Sequence, residues 1–459
     1  TQTVSLDPAK GALYQKWTGD LDGMVKRRVI RVLTVYSKTF YFLDKDTQRG
    51  IVYDGMKAFE EDLNKKLNTG NLRVHVVFLP VSREKLISGL NEGIGDIACA
   101  NLTITDERKK VVDFTVPTLQ NASELVITGP ASPKIATLDD LSGQEIFVRK
   151  SSSYYEHLVE LNQRFKKDGK KEIILKPAPE ELENEDFLEM LNAGLVKILV
   201  VDDHIANFWK QIFPKITVHQ DIKIHSGDNI AWAIRKNSPK FMAELNKFIP
   251  AHGKGTLFGN MALQKYLKTT RFVKDAGSDA ERKKFLDLVS IFKKYSAQYN
   301  VDTLLMVAQG YQESQLNQTV KSPVGAIGIM QIMPSTAKDL KVGDVSQVEP
   351  NIHGGVKYMR FMIDQYYKDE PMTDLNKALF TFASYNAGPA KIQSLRKEAA
   401  RRGLDPNKWF NNVEQVVSEK VGRETVTYVS NIYKYYIAYK LISEEAAEKE
   451  KVKKQLKPN

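Results

Sequence analysis

From Arg28 onward the chain alternates short runs of β-branched and other apolar residues with longer amphipathic stretches. "RVIRVLTVY" (28–36) and "LRVHVVFLP" (72–80) read as strands, and "YDGMKAFEEDLNKKLN" (53–68) and "REKLISGLNEGIGDIACAN" (83–101) carry the helical pattern around them. Strands separated by helix-length stretches predict parallel α/β packing with right-handed crossovers. A second set continues the theme through "QEIFVRKSS" (144–152), "YYEHLVELNQRFKKDG" (154–169), "KEIILKPA" (171–178), "FLEMLNAGLVKILVVDDHIANFW" (187–209) and "IKIHSGDNIAWAIRK" (222–236). The whole of 28–267 is therefore expected to be α/β, after an N-terminal extension, 1–27.

Past residue 268 the pattern changes. "KTTRFVKDAGSDAERKK" (268–284) is charged, holds Gly277 and Ser278 and has no core face, so 268–282 reads as a linker. Beyond it Phe285, Leu288, Val289, Phe292 and Tyr295 fall on one helical stripe. Further helical patterns cover 301–313, 334–340, 350–368, 374–385, 388–401, 411–418 and 423–442, which predicts an all-α domain over 283–442. The closing segment, 443–459, is charged throughout and is expected to fray.

Composition narrows the function classes. The 459 residues, 42% hydrophobic and 27% charged, suffice for two or three cores. Lys and Arg number 67 against 56 Asp and Glu, and the net charge of +11 favours anionic partners. The charges are interspersed and no nucleic-acid motif accompanies them, so no nucleic-acid role is expected. A lone cysteine, Cys99, excludes an intrachain disulfide and any multi-cysteine metal cluster, and no metal site or cofactor is expected. No apolar run approaches the roughly 18–20 residues of a membrane span. The chain starts at Thr1 with polar sequence, which reads as a mature or trimmed form whose export signal has been removed.

The stretch "QESQLNQTVKSPVGAIGIMQIMPSTA" (312–337) places one acid, Glu313, where a predicted helix ends and small and apolar residues begin. The negative end of the helix dipole and apolar neighbours both disfavour ionisation, so this carboxyl is expected to hold its proton near neutral pH, as a general acid must. Gly325 and Gly328 permit close backbone approach, either for a substrate cleft or for a tight packed turn.

Four ordered blocks carry a more specific signal: Glu313-Ser314, Gly328-Ile329-Met330-Gln331, Ser384-Tyr385-Asn386-Ala387-Gly388, and Glu424-Thr425 through Tyr428. Together they resemble the catalytic domain of lytic murein transglycosylases of the soluble-transglycosylase, goose-lysozyme-like class. The family pattern has Leu and Ala where Ile329 and Ser384 stand, and both departures are conservative. The resemblance implies non-hydrolytic cleavage of the β-1,4 bond between N-acetylmuramic acid and N-acetylglucosamine in peptidoglycan, with 1,6-anhydromuramyl products. Glu313 would be the single acid and base, where ordinary glycosidases use two carboxylates. Glu424 stands as a candidate second acid or as a structural acceptor. The resemblance gives Ser322 a place near the N-acetyl or C6 oxygen, gives Gln331 and Asn386 amide recognition, and directs the Tyr385 hydroxyl at the N-acetyl oxygen or the acid. It also lines the groove with Met330 and Met333 and packs Tyr428 beneath Glu313. Turn-forming, architectural and core roles are the alternatives for these side chains.

"ANLTITDERKKVVDFTVP" (100–117) resembles the ligand-binding hinge of periplasmic solute-binding proteins of the amino-acid type. That family implies a two-lobed domain over 28–267 with the chain changing lobes near 125 and 225. Arg108 would pair with a ligand α-carboxylate and Asp203 with its α-amine, with Asn101, Thr103, Ser152 and an aromatic wall from Tyr41 or Phe40 around them. A solute-binding domain ahead of a transglycosylase domain resembles the membrane-bound lytic murein transglycosylases. It implies a periplasmic enzyme associated with the outer membrane of a Gram-negative bacterium, acting on glycan strands. Its first domain would bind amino acids, stem peptides or muropeptides and modulate activity. A murein receptor that no longer cuts and a hydrolytic lysozyme are the alternatives.

Overall fold

In the computed structural model, which describes Leu13 and residues 15–44, 47–253 and 279–456, one mixed sheet organises the first half of the chain. The strands in chain order are β1 (Val29–Thr34), β2 (Phe42–Asp44), β3 (Thr47–Arg49), β4 (His75–Pro80), β5 (Ile97–Thr103), β6 (Asp113–Phe114), β7 (Leu119–Thr128), β8 (Glu145–Val148), β9 (Ile174–Pro177), β10 (Ile198–Asp202) and β11 (Thr217–Ile234). The sheet runs β10-β7-β11-β5-β1-β4, with β6 added to β11, while β2/β3 and β8/β9 form separate two-stranded ribbons.

β1 is buried on both faces, which explains its near-continuous apolar run, and it pairs in parallel with β4 and β5. The helix Ile51–Leu67 covers one face with Val52, Met56, Phe59 and Leu63 at helical spacing. The purely parallel expectation fails at the centre: β11 runs antiparallel to both β5 and β7, and β10 antiparallel to β7. The reason is geometric. β7 and β11, 10 and 18 residues long, carry the chain out to the second lobe and back, so they must oppose each other. Leu119 faces Ile230 at one end of this pair and Thr128 faces Thr217 at the other. The second lobe has its own core of Leu141, Ile146, Leu158, Phe165, Ile198 and their neighbours.

The described part of the N-terminal extension lies on the first lobe. Arg27 and Arg31 both pair with buried Asp96, and Arg31 also donates to the carbonyls of Leu13, Gln15 and Trp17. The linker reading, 268–282, falls outside the described residues up to 278.

The last third is helical. The expected 301–313, 334–340, 374–385 and 388–401 form as Thr303–Ser314, Pro334–Leu340, Asp374–Ala387 and Pro389–Arg401. Thr303–Ser314 is the central helix: Leu305 through Gly310 are all buried, so it is covered on every side. It packs along Arg423–Leu456, a helix of 34 residues. The tail therefore does not begin to fray at 443. Two of its lysines have partners on the second lobe, where Lys453 lies 2.9 Å from Asp186 and Lys449 lies 3.4 Å from the same carboxylate. Lys449 also donates to the carbonyl of Tyr36 on the first lobe. The two halves meet again where Arg28 clamps Glu414 through both carboxylate oxygens, at 2.6 and 3.0 Å. Among the described residues no helix is long and apolar enough to cross a membrane.

Candidate functional site

Glu313 sits in the last turn of Thr303–Ser314, which Asp302 caps at its start and Gln315, in the left-handed conformation at φ 54°, ends. Burial pushes its carboxyl up to about 7, and one hydrogen bond, donated by the Tyr428 hydroxyl, pulls the other way. Among the described residues no charged side chain enters that balance. Glu424, the candidate second acid, is exposed in the first turn of Arg423–Leu456. Its neighbour Thr425 is buried and donates to the Asn386 side-chain oxygen at 2.7 Å.

Behind Tyr428 lies a residue the sequence did not single out. Gln309, one turn before Glu313 and fully buried, donates to the Tyr428 hydroxyl at 3.2 Å. A hydroxyl that accepts from an amide keeps its own proton for the acid, so the chain Gln309, Tyr428, Glu313 has a defined direction.

The segment 320–332 folds beside the acid as a tight loop. Ser314 anchors it by donating to the Ile329 carbonyl at 2.9 Å. Gly328 is at φ 78°, and a Cβ there would collide with the side-chain amides of Gln318 and Asn351. Those two amides, also unforeseen, hold the loop: Asn351 accepts from the Met330 N–H and donates to the Ile327 carbonyl, and Gln318 accepts from the Ile329 N–H. Neither residue lies in a recognisable block, and only its burial against the loop gives it away.

Several proposed substrate contacts are already committed to this architecture. The Ser322 hydroxyl accepts from the Ala326 N–H at 3.0 Å, and the Gln331 amide donates to the Gly328 and Val320 carbonyls. Met330 does not line a groove; its side chain is fully buried against Gly310 and Gly355, and its carbonyl accepts from the Tyr385 hydroxyl at 2.7 Å. Tyr385 thus braces the loop, and the charge of Glu313 adds to burial in holding its hydroxyl protonated. Met333, 37% exposed, faces outward.

The second site lies in the cleft between the lobes, lined by Arg83, Asn101, Thr103, Arg108, Arg149, Ser152 and Asp202 among others. Arg108 is buried in the short helix Asp106–Lys109, and its guanidinium spans the cleft, donating to the Thr103 carbonyl at 2.7 Å and to the Ser151 carbonyl of the other lobe at 3.0 Å. Arg83 crosses as well, gripping Glu183 with two bonds at 2.8 and 3.0 Å. The Ser152 hydroxyl caps the helix Ser153–Lys167.

Two cleft residues read from the sequence are displaced. Tyr41 is fully buried, donates to Gln48 at 2.7 Å and stacks on Phe78, so it forms no wall of the cleft. The acid facing the cleft is Asp202, not Asp203. β10 ends on Asp202 and a helix starts at Asp203, so the two point in different directions; Asp203 accepts from the His204 N–H instead. Asp202 is buried, which raises its pKa; one oxygen accepts from Asn101 at 2.8 Å and the other has no hydrogen-bond partner among the described residues. A buried carboxylate oxygen left free in a cleft is a place for a cationic donor.

Two family models match separate parts of the chain. The family described as "Bacterial extracellular solute-binding proteins, family 3" matches residues 30–257, and "Transglycosylase SLT domain" matches 290–408. A membrane-bound lytic murein transglycosylase F from Pseudomonas fluorescens strain Pf0-1 is 28% identical over 89% of this chain and 84% of its own length. Proteins of the same name from Desulfosudis oleivorans and Idiomarina loihiensis are 26% and 27% identical, over 89% and 92% of this chain and the same shares of theirs. Among solved structures, an ancestral arginine-binding protein bound to arginine covers 52% of this chain and 97% of its own, at 24% identity and a TM-score of 0.43.

Proposed function

We propose, for a chain that belongs to the lytic murein transglycosylases and joins a family 3 solute-binding domain to an SLT domain, that Glu313 alone serves as acid and base in a cleavage that uses no water. Protonated at the start, it gives its proton to the glycosidic oxygen, and N-acetylglucosamine leaves. As a carboxylate it then takes the proton of the muramyl C6 hydroxyl while O6 closes onto C1, giving the 1,6-anhydro ring and restoring the acid. The observation that carries this reading is the solitude of Glu313: its carboxyl is raised to about 7 by burial, with no second carboxylate in the balance. A hydrolytic retaining or inverting mechanism needs that second acid. Tyr428 steadies the carboxylate stage by donating to it.

The cleft would bind an amino acid or a murein stem peptide. A ligand carboxylate replaces the Ser151 carbonyl on Arg108, and a ligand amine takes the free oxygen of Asp202. Arg423–Leu456 would transmit the ligand state, since it carries Tyr428 beside the acid and Lys449 and Lys453 against the second lobe. The chain would work in the periplasm, held at the outer membrane, where its glycan substrate is reached.

Purified murein is digested with the full chain and the new ends are scored. Resistance of those ends to borohydride, with no gain in reducing sugar, is the expected result; reducing ends would make the enzyme a lysozyme. Intact murein that is bound but never cut would make it a receptor. Loss of turnover in Glu313→Gln, with murein binding kept, ties the reaction to this acid.

A further inference from the structure

On the hinge strands, outside the residues that line the cleft, four side chains from three elements converge. His157, on Ser153–Lys167, and His225, on β11, lie ring upon ring with centroids 3.8 Å apart and planes 5° from parallel. Each ring has its Nδ1 on a carboxylate: His157 is 2.7 Å from Glu124 of β7, and His225 is 2.7 Å from Asp228. Glu124 stands directly opposite His225 in the β7/β11 register, and its other oxygen accepts from Ser153 at 2.7 Å.

The backbone is bent to make this cluster. Residues three apart on a regular strand point to opposite faces, yet His225 and Asp228 meet. Register shifts between Ser226 and Asp228 and between Asp228 and Ile230, with Gly227 at φ 78°, insert the bulge that turns Asp228 back toward the ring. A bulge of this kind re-aims a side chain at the expense of ladder pairing.

The charges call for a cation. Glu124 and Asp228 are both buried, and among the described residues neither forms an ion pair with Lys or Arg. The second oxygen of Asp228 is buried with no hydrogen-bond partner among the described residues. A divalent ion placed among these groups would occupy the unpartnered Asp228 oxygen and meet both rings.

We propose that His157, His225 and Asp228 form a binding site for a divalent transition metal of the zinc class at the hinge of the solute-binding domain. A nitrogen of each ring and a carboxylate oxygen of Asp228 lie within 4.8 Å of one another. Two imidazoles and one carboxylate are the donor set that zinc and its neighbours accept, and magnesium or calcium does not. Glu124 holds the His157 Nδ1 and becomes the outer partner that fixes that ring, leaving its Nε2 for the metal, while between His225 Nδ1 and Asp228, 2.7 Å apart, the ion takes the place of the shared proton. Parallel rings do not aim both lone pairs at one point, so the ion draws His225 off the stack; its side chain is 42% exposed and free to tilt. No metal spacing in the sequence marks this site, because His157 lies far along the chain from His225 and Asp228.

The test uses the full chain, stripped with a chelator and titrated with zinc in a calorimeter, alongside thermal melts with zinc or magnesium. One zinc per chain and a melt raised by zinc but not magnesium are expected. His225→Ala, a change at a partly exposed ring, should keep the fold and lose more affinity than the roughly 10–100-fold expected for Glu124→Gln, which removes only an outer partner. Absence of stoichiometric zinc in the wild type, equal stabilisation by magnesium, or undiminished zinc binding in His225→Ala each overturns the site. Should His157→Gln fail to fold, the wild-type titration and His225→Ala decide alone.

Discussion

Glu313 and Asp202 are both sheltered carboxyls that form no ion pair with Lys or Arg among the described residues, and burial raises the pKa of each. What differs is the company of their oxygens. Glu313 receives one hydroxyl proton from Tyr428, enough to let it ionise near neutrality and return. Asp202 receives one amide from Asn101 and, among the described residues, keeps a buried oxygen without a hydrogen-bond partner. The first arrangement suits a group that hands a proton back and forth; the second suits a group that waits for a positive ligand. A buried acid without an ion pair marks function in both places, and its remaining hydrogen-bonding capacity says which function.

The largest effect that separates the two is in ligand binding. Asp202→Asn should weaken amino-acid or stem-peptide binding by about 2–5 kcal/mol, the usual cost of removing one partner of a buried charged pair, while Asp203→Asn leaves it nearly unchanged. Calorimetry on both variants checks this, with murein turnover in the absence of ligand as a control for Asp202→Asn. A heavier loss in Asp203→Asn would move the amine site to the start of the following helix.

Next comes the energetic cost of holding Glu313 where it is. Its folded pKa of about 7 stands above the ordinary 4.5, so the folded protein keeps a proton that the unfolded chain gives up. The stability this contributes is complete below the unfolded value and is lost as pH rises through about 7. Glu313→Gln, which never ionises, should therefore be the more stable protein at pH 8 by about 2–3 kcal/mol, with the gap closing toward pH 4. Denaturant melts at the two pH values read it directly, and a gap independent of pH would mean the carboxyl is not strained by burial.

How far these sites could be read in advance follows the same contrast. The catalytic blocks were legible because each is local: Glu313 needs only a helix end, and the small-residue run after it needs only its own turn. Even there, alignment of a block did not reveal which side chains were free. Ser322, Gln331 and Met330 belong to the right segment, yet their polar atoms or their bulk build the loop. The cleft was legible only in outline. Choosing between Asp202 and Asp203 requires knowing where β10 stops and the helix begins, within one residue. Tyr41 looked like a cleft aromatic because nothing local says that Phe78 stacks on it. The antiparallel centre of the sheet depends on two strands threading both lobes, a long-range fact that alternation of strands and helices does not encode.

Tyr428 offers a finer test of the catalytic side. Turnover requires Glu313 protonated at the start, so the rate should fall as pH rises through about 7. Because the Tyr428 hydrogen bond favours the ionised form, Tyr428→Phe should move that limb upward by about 1–2 pH units, the equivalent of one hydrogen bond to a charged group. A kcat profile against pH separates this from simple loss of packing, which would lower the rate without moving the limb.

The smallest effect concerns the helix that touches both sites. Lys453 is a partly exposed ion pair with Asp186, and its replacement by Ala should cost no more than about 1 kcal/mol of stability. Lys449 is buried and bridges the lobes, donating to the Tyr36 carbonyl on the first while facing Asp186 on the second. Neither lysine contacts the acid or the cleft ligand groups, so Lys449→Ala with Lys453→Ala should leave ligand binding and unliganded turnover nearly unchanged, while loss of the buried Lys449 beside Asp186 costs stability. What should shrink is the ratio of turnover with ligand to turnover without it, because that ratio depends on the second lobe and Tyr428 moving with one rigid helix. Rates measured with and without stem peptide, in wild type and in the double variant, give the ratio. An unchanged ratio would mean that any coupling between the acids passes through the Arg28–Glu414 clamp, and Arg28→Ala would then carry the loss instead.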